Sequence, residues 1–245
     1  MSGAVDLLAP RKVALVASNP ATSPTTGWPV GFWWAELSHP YWEFAEQGFE
    51  VAVFSPDGGK LDADSWSDPR DDSRYSADDL ISLGFINSPD HMALVEESTP
   101  IAELDVDGHD AVLFIGGQGP MVTFYDDERV HELAVAFHDA GKLTCVICHA
   151  TCLLLKARRA DGSLIVDGRT WTGFANSEED YADEYVGRRI QPFRIEDEAK
   201  ALPNSNFIVD SRFKSHCVRD GNLITGQQQF SGRQAAELVI EALGR

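Results

Sequence analysis

Short β-branched runs alternating with helical periods constrain the fold of this 245-residue chain more than any other feature. Val13-Ala-Leu-Val-Ala17, Glu50-Val-Ala-Val-Phe54, Ala111-Val-Leu-Phe-Ile115 and Lys142-Leu-Thr-Cys-Val-Ile147 read as strands. Residues 34–47 and 127–140 carry helical periodicity and stop at Gly48 and Gly141. Strands of this length separated by helices make βαβ units, hence an α/β fold with a mostly parallel sheet covered by helices. Further along come a helix-like stretch at 150–156, a β segment at 163–172 and an acidic helix at 177–185. A strand at Leu223-Ile-Thr225 and a closing helix at 233–243 complete the pattern. Residues 57–100 are rich in Asp, Ser, Gly and Pro, with one weak helix at 77–83, and read as a cap-like excursion from the sheet. No repeat or shift of composition divides the chain, so one domain spanning 1–245 is expected.

With 20 Lys and Arg against 39 Asp and Glu, the formal charge is −19. A surface of that sign repels phosphate backbones and anionic lipid. The basic pairs Arg158-Arg159 and Arg188-Arg189 are too short to reverse it, so neither nucleic acid nor a membrane is an expected partner. No apolar run approaches the roughly 18–20 residues of a membrane span. Residues 1–12 lack a basic region followed by an apolar stretch, so no signal peptide is expected. Four cysteines are too few for a secreted disulfide framework, and a cytoplasmic location follows as the expectation.

Three of those cysteines, Cys145, Cys148 and Cys152, crowd into eight positions. Cys145-Val-Ile-Cys148-His149 has the spacing of a haem attachment site, and Cys152 extends it toward an iron–sulfur triplet. Both readings fail on geometry, because Cys145 lies in a β run in which residues 145 and 148 face opposite ways. A zinc site meets the same obstacle and finds no second Cys/His pair. Cys145 and Cys152 therefore read as small buried hydrophobes. Cys148 differs: the strand breaks there directly into a helix, which sets its thiol on a sharp turn at the carboxyl end of the sheet. A helix N-terminus at that point is expected to lower the thiol pKa. The His149 N–H points into the same space and can hold a developing oxyanion. Gly116-Gly117-Gln118-Gly119-Pro120 also follows a strand, and its backbone can supply the second donor. It lacks the Lys-Ser/Thr of a phosphate-binding loop.

Taken together these motifs resemble the ThiJ/PfpI superfamily, with its flavodoxin-like, class I glutamine amidotransferase-like fold. The similarity is nearest to the heat-shock glutathione-independent glyoxalases, or glyoxalase III subgroup. It rests on Gly31-Phe-Trp-Trp-Ala-Glu36-Leu-Ser-His-Pro40, the Gly116 to Met121 loop, Ile147-Cys148-His149 and Thr172-Gly-Phe-Ala-Asn-Ser-Glu-Glu179. A fifth match is Arg219-Asp-Gly-Asn-Leu-Ile-Thr-Gly226. The resemblance implies Cys148 as nucleophile, His149 as neighbouring acid/base, Glu36 as the carboxyl touching the cysteine and Glu179 as the one orienting the histidine. Glu178 and Asp180 stand beside Glu179 as alternatives for that last role. Gly116, Gly117 and Gln118 are implied to bind substrate or oxyanion.

Two segments depart from the family pattern. The elbow reads Cys148-His149-Ala150-Thr151-Cys152 rather than Cys-His-Gly-Pro, and Gly226 leads into Gln227-Gln228-Gln229 rather than Gln-Asn-Pro. No late His-x-Glu follows Cys148, which disfavours glutamine hydrolysis. The implied activity is cofactor-free and metal-free conversion of a small electrophile, foremost methylglyoxal to lactate, by a homodimeric lyase. Hydration of another small electrophile such as an isonitrile is an alternative, with Trp33, Trp34, Gln227–Gln229 and the 57–100 excursion as a bulkier pocket wall. A stress-related holdase chaperone or redox sensor is a third.

Overall fold

A computed structural model describes residues 10–244. The chain opens with β1 (Lys12–Val16) and a small hairpin of β2 (Ala21–Thr22) and β3 (Pro29–Val30). Then come α1 (Trp34–Glu46), β4 (Glu50–Ser55), α2 (Leu80–Ile86), α3 (Pro89–Glu96) and β5 (Thr99–Pro100). β6 (Ala111–Phe114), α4 (Pro120–Thr123), α5 (Glu128–Asp139) and β7 (Leu143–Ile147) follow. Beyond the elbow lie β8 (Thr170–Trp171), α6 (Asn176–Val186), α7 (Ile195–Ala201), β9 (Asn206–Phe207), β10 (Cys217–Asp220), β11 (Leu223–Gly226) and α8 (Gly232–Ala242).

Seven strands form one sheet in the order β10-β11-β7-β6-β1-β4-β5. Every neighbouring pair is parallel except β10 with β11. The central strands β6 and β7 are buried at every position, as expected for parallel strands covered on both faces. Helices α1 and α8 pack against one another, α8 also against β7 and β11, while α5 lies against β6 and β7. The expected α/β architecture is therefore present. Strand order reverses beside β1, and the open end of β6 and β7 at that point is where such sheets bind ligands.

Several local expectations are refined. The segment after the elbow is a 3-10 helix beginning at Cys148 itself and running to Leu155. Of the 163–172 segment only Thr170–Trp171 is strand, because turns at 165–168 interrupt it. The 57–100 excursion carries two helices and returns to the sheet as the short edge strand β5. Its second helix begins on Ser88-Pro89, where the Ser88 hydroxyl accepts the His91 N–H at 3.5 Å. That is a capped start with proline at the first turn. Phe137, on α5, is fully buried in the core. Phe137→Ala is expected to lower unfolding stability by about 3–5 kcal/mol, read as a shift of the urea midpoint with the transition slope unchanged.

Candidate active site

Cys148 sits directly after β7 with φ of +58°, a left-handed conformation rare for a residue with a side chain. This is the turn that the abrupt strand-to-helix junction demands, and the Thr151 hydroxyl steadies it by donating to the Cys148 carbonyl at 2.6 Å. The thiol is only 2% exposed. His149 Nδ1 lies 3.5 Å from Sγ, and on the other side of the ring Nε2 lies 3.1 Å from Glu179 Oε1. The imidazole stacks on Phe174 with centroids 3.9 Å apart, so its plane is fixed as well as its ends.

Among the three adjacent acids of α6, Glu179 meets the histidine. Glu178 turns away: it accepts the Ala175 and Phe213 N–H groups and the Gln227 amide at 2.9–3.0 Å. Asp180 pairs with Arg194 at the surface.

Glu36 comes from the first turn of α1 and is completely buried. Its Oε2 accepts the Gly116 N–H at 2.9 Å, and the carboxyl lies beside the Cys148 thiol. Burial raises its pKa to about 7, against the opposing pull of Cys148, the Gly116 N–H and His149. The thiol is pushed well above its ordinary range by burial and by the Glu36 charge. The N–H groups of Gly117 and His149 point at the sulfur and oppose that rise without overcoming it. The lowering expected from a helix N-terminus is thus outweighed by desolvation. Cys148 and Glu36 instead form a coupled pair in which ionising one raises the pKa of the other.

The cysteines flanking the elbow are packing residues. Cys145 is fully buried within β7, and Cys152 Sγ donates to the Pro120 carbonyl at 3.4 Å. Among the described residues, no three His, Cys, Asp or Glu are placed to hold a metal ion.

A cavity of about 40 Å³ reaches Cys148 and His149, with Gln118, Glu178 and Gln229 among its polar edges. Trp33, Trp66, Tyr75 and Tyr181 supply aromatic wall. The excursion therefore does contribute to a cap, through Trp66 and Tyr75. Trp34 does not line the cavity; it packs into the core against Phe32 and Phe85. Gln227 and Gln228 also face inward, bonding Glu178 and the Lys214 carbonyl, so only Gln229 of that run reaches the cavity.

A model of the DJ-1/PfpI family matches residues 31–242. The chain belongs to that family. It is 23% identical over 240 residues to the glutathione-independent glyoxalase HSP31 of Saccharomyces cerevisiae, covering 96% of this chain and 99% of that one. Glyoxalase 3 of Candida albicans is 22% identical over 233 residues, covering 94% of this chain and 96% of that one. In structure, the 24 kDa Rapid Encystment Protein of Francisella tularensis superposes with a TM-score of 0.84 at 22% identity, over 96% of this chain and 100% of that one. The glyoxalase III structure from Candida albicans gives 0.75 at 21% identity, over 95% and 97%. These likenesses make the DJ-1/PfpI flavodoxin-like fold plain.

One buried carboxyl at this centre went unrecognised in the sequence. Asp64 is 5% exposed, accepts the Gly31 N–H at 2.9 Å and the Gln118 N–H at 2.6 Å, and has its pKa raised to about 7 by burial. It ties the glycine loop to the segment leading into α1. In an Asp- and Ser-rich loop nothing local distinguishes it from its exposed neighbours.

Glu36 binds its proton more tightly folded than its ordinary value of 4.5 implies. Its contribution to stability is thus full below about pH 4.5 and is lost as pH rises through about 7. Glu36→Gln removes that loss, so the variant is expected to gain on the order of 2–3 kcal/mol relative to wild type between pH 5 and pH 8. Urea unfolding of both proteins at the two pH values measures the difference.

Proposed function

We propose that this family member is a glutathione-independent glyoxalase that converts methylglyoxal, or a related 2-oxoaldehyde, to the 2-hydroxy acid. The observation that carries the reading is the contact of Cys148 with Glu36 and with the His149–Glu179 pair, where Cys148 and His149 line a cavity too small for a large substrate. A water occupies at least about 10–15 Å³ of such space, so 40 Å³ suits a handful of heavy atoms. The glyoxalase names of relatives matched along nearly their full length support the same class.

In this chemistry the Cys148 sulfur adds to the aldehyde carbon while its proton passes to His149 Nδ1. Glu179 accepts from Nε2–H, which leaves Nδ1 as the basic nitrogen facing the sulfur. The aldehyde oxygen gains a proton, giving a hemithioacetal. Glu36 or His149 then removes the C1 proton and a proton is returned at C2, which turns the hemithioacetal into the thioester of the hydroxy acid. Water cleaves the thioester, releasing the acid and restoring the thiol. The sum is oxoaldehyde plus water to hydroxy acid, with no external oxidant or reductant. In this reading the N–H groups of Gly117 and His149, directed at the sulfur, also hold the oxyanion during addition and hydrolysis. The proposal takes the enzyme as a cytoplasmic homodimer.

A redox-sensor role draws on nothing comparable, because sensor thiols are exposed and acidic, whereas Cys148 is buried with a raised pKa.

Lactate formation from methylglyoxal without glutathione tests the reading. Wild type is expected to turn over, Cys148→Ser to lose at least about 1,000-fold and Glu36→Gln about 100-fold or more in kcat. Wild type that forms no lactate, although Cys148 is alkylated by iodoacetamide, would remove the glyoxalase assignment and leave the nucleophile.

A further inference from the structure

Beside the reactive cavity lies a second, larger one of about 430 Å³. The two share three wall residues, Trp33, Trp66 and Gln118, so these side chains form a partition where the cavities adjoin. Beyond the partition the outer chamber is walled largely by apolar groups, among them Trp28, Val30, Ala63 and Ile190. Gln118 belongs to the same loop whose Gly117 N–H points at the Cys148 sulfur. Its carboxamide oxygen accepts from Gln191, a bond to an adjacent side chain that can be exchanged without disturbing the backbone. A group seated in the outer chamber is therefore one residue from the reacting carbon.

The inner cavity by contrast has little room beyond the reacting carbonyls. A methyl substituent leaves the outer chamber unused, whereas a planar apolar substituent reaching it meets the indoles of Trp28, Trp33 and Trp66. Aromatic rings stacked or set edge-to-face on such walls gain roughly 0.5–1.5 kcal/mol beyond burial itself. We propose that the outer chamber is a substituent-binding subsite, and that the preferred substrates are 2-oxoaldehydes carrying an aryl or other large apolar group. The proposal rests on the glyoxalase reading of Cys148 and specifies its substrate class. The chemistry is unchanged and balanced: an aryl 2-oxoaldehyde plus water gives the aryl 2-hydroxy acid through the same hemithioacetal and thioester.

Phenylglyoxal and methylglyoxal serve as the two probes, with mandelate and lactate as the measured products. Wild type is expected to show kcat/KM about 10-fold or more higher for phenylglyoxal, the scale on which apolar pockets discriminate. Ile190→Trp, which fills the outer chamber away from the reacting groups, is expected to lower phenylglyoxal kcat/KM about 10-fold and leave methylglyoxal within about two-fold. Thr26→Trp at the chamber's other wall guards against misfolding of the first variant and should give the same split. Methylglyoxal turnover with no preference for phenylglyoxal, or equal loss of both activities in the filled variants, would overturn the subsite while leaving the glyoxalase reading intact. Absence of both products in wild type would overturn the two together.

Discussion

Gly116 has no side chain, and the candidate active site is assembled in the space this leaves. A Cβ there would lie 2.5 Å from Glu36 Oε2, 2.6 Å from the Cys148 Cβ and 2.7 Å from the Ile147 carbonyl. Two segments far apart in sequence thus converge on one backbone position just beyond β6. The same residue donates its N–H to Glu36 and accepts the Trp33 N–H at 3.0 Å, so it also fixes where α1 begins. Gly117 extends the contact: with φ of +110° it lies against the backbone of residues 31–33, where a Cβ would come within 2.6–2.7 Å. The loop therefore approaches its neighbours backbone to backbone; its Gly116 and Gln118 N–H groups go to Glu36 and Asp64, and that of Gly117 is aimed at the sulfur.

Convergence of this kind buries several acids together, and buried carboxylates are tolerated only with partners or as neutral acids. Both solutions occur here. Glu178 is held by two backbone N–H groups and the Gln227 amide, while Glu179 meets His149. Glu36 and Asp64 take backbone N–H groups as well, yet burial lifts both to about 7, with the Asp64 charge adding to the rise at Glu36. The strained φ at Cys148 belongs with them. Backbone strain and uncompensated burial gather at one end of the sheet, where a functional site can use them and the rest of the core must sustain them.

The sheet and the elbow were legible because each rests on local pattern. Fully buried strands show as continuous apolar runs, and a strand that stops at Cys148-His149 before a helical stretch leaves little choice of turn. What escaped depends on tertiary contact. Trp33 and Trp34 are adjacent aromatics, yet Trp33 is the extended residue before α1 and lines the cavity, while Trp34 opens the helix and enters the core. The roughly 100° between successive helical positions separates Glu178 from Glu179, which family likeness singled out and composition could not. Asp64 was illegible for a different reason: its partners are backbone N–H groups of residues 31 and 118, which leave no mark on the sequence around it. The strand β10 escaped because its burial does not alternate, and α7 because its seven residues hold too short a stretch of the helical period, buried at Ile195, Glu196 and Ala199, to stand out.

Burial of the thiol looks at first like an obstacle to the chemistry proposed for it, since desolvation disfavours the thiolate. The surrounding set removes much of that difficulty. Passing a proton from Cys148 Sγ to His149 Nδ1 creates an ion pair without changing the net charge enclosed, so no new uncompensated charge is buried. Glu179 on the far nitrogen stabilises the imidazolium that results. A neutral Glu36 adds no repulsion to the nascent thiolate, and its raised pKa keeps a large neutral fraction near neutral pH. The N–H groups of Gly117 and His149, already directed at the sulfur, favour the negative charge that forms on it. Water exclusion by the aromatic wall strengthens each of these interactions and restricts the electrophile that can benefit from them. The same burial that makes the thiol weakly acidic therefore makes its reaction selective.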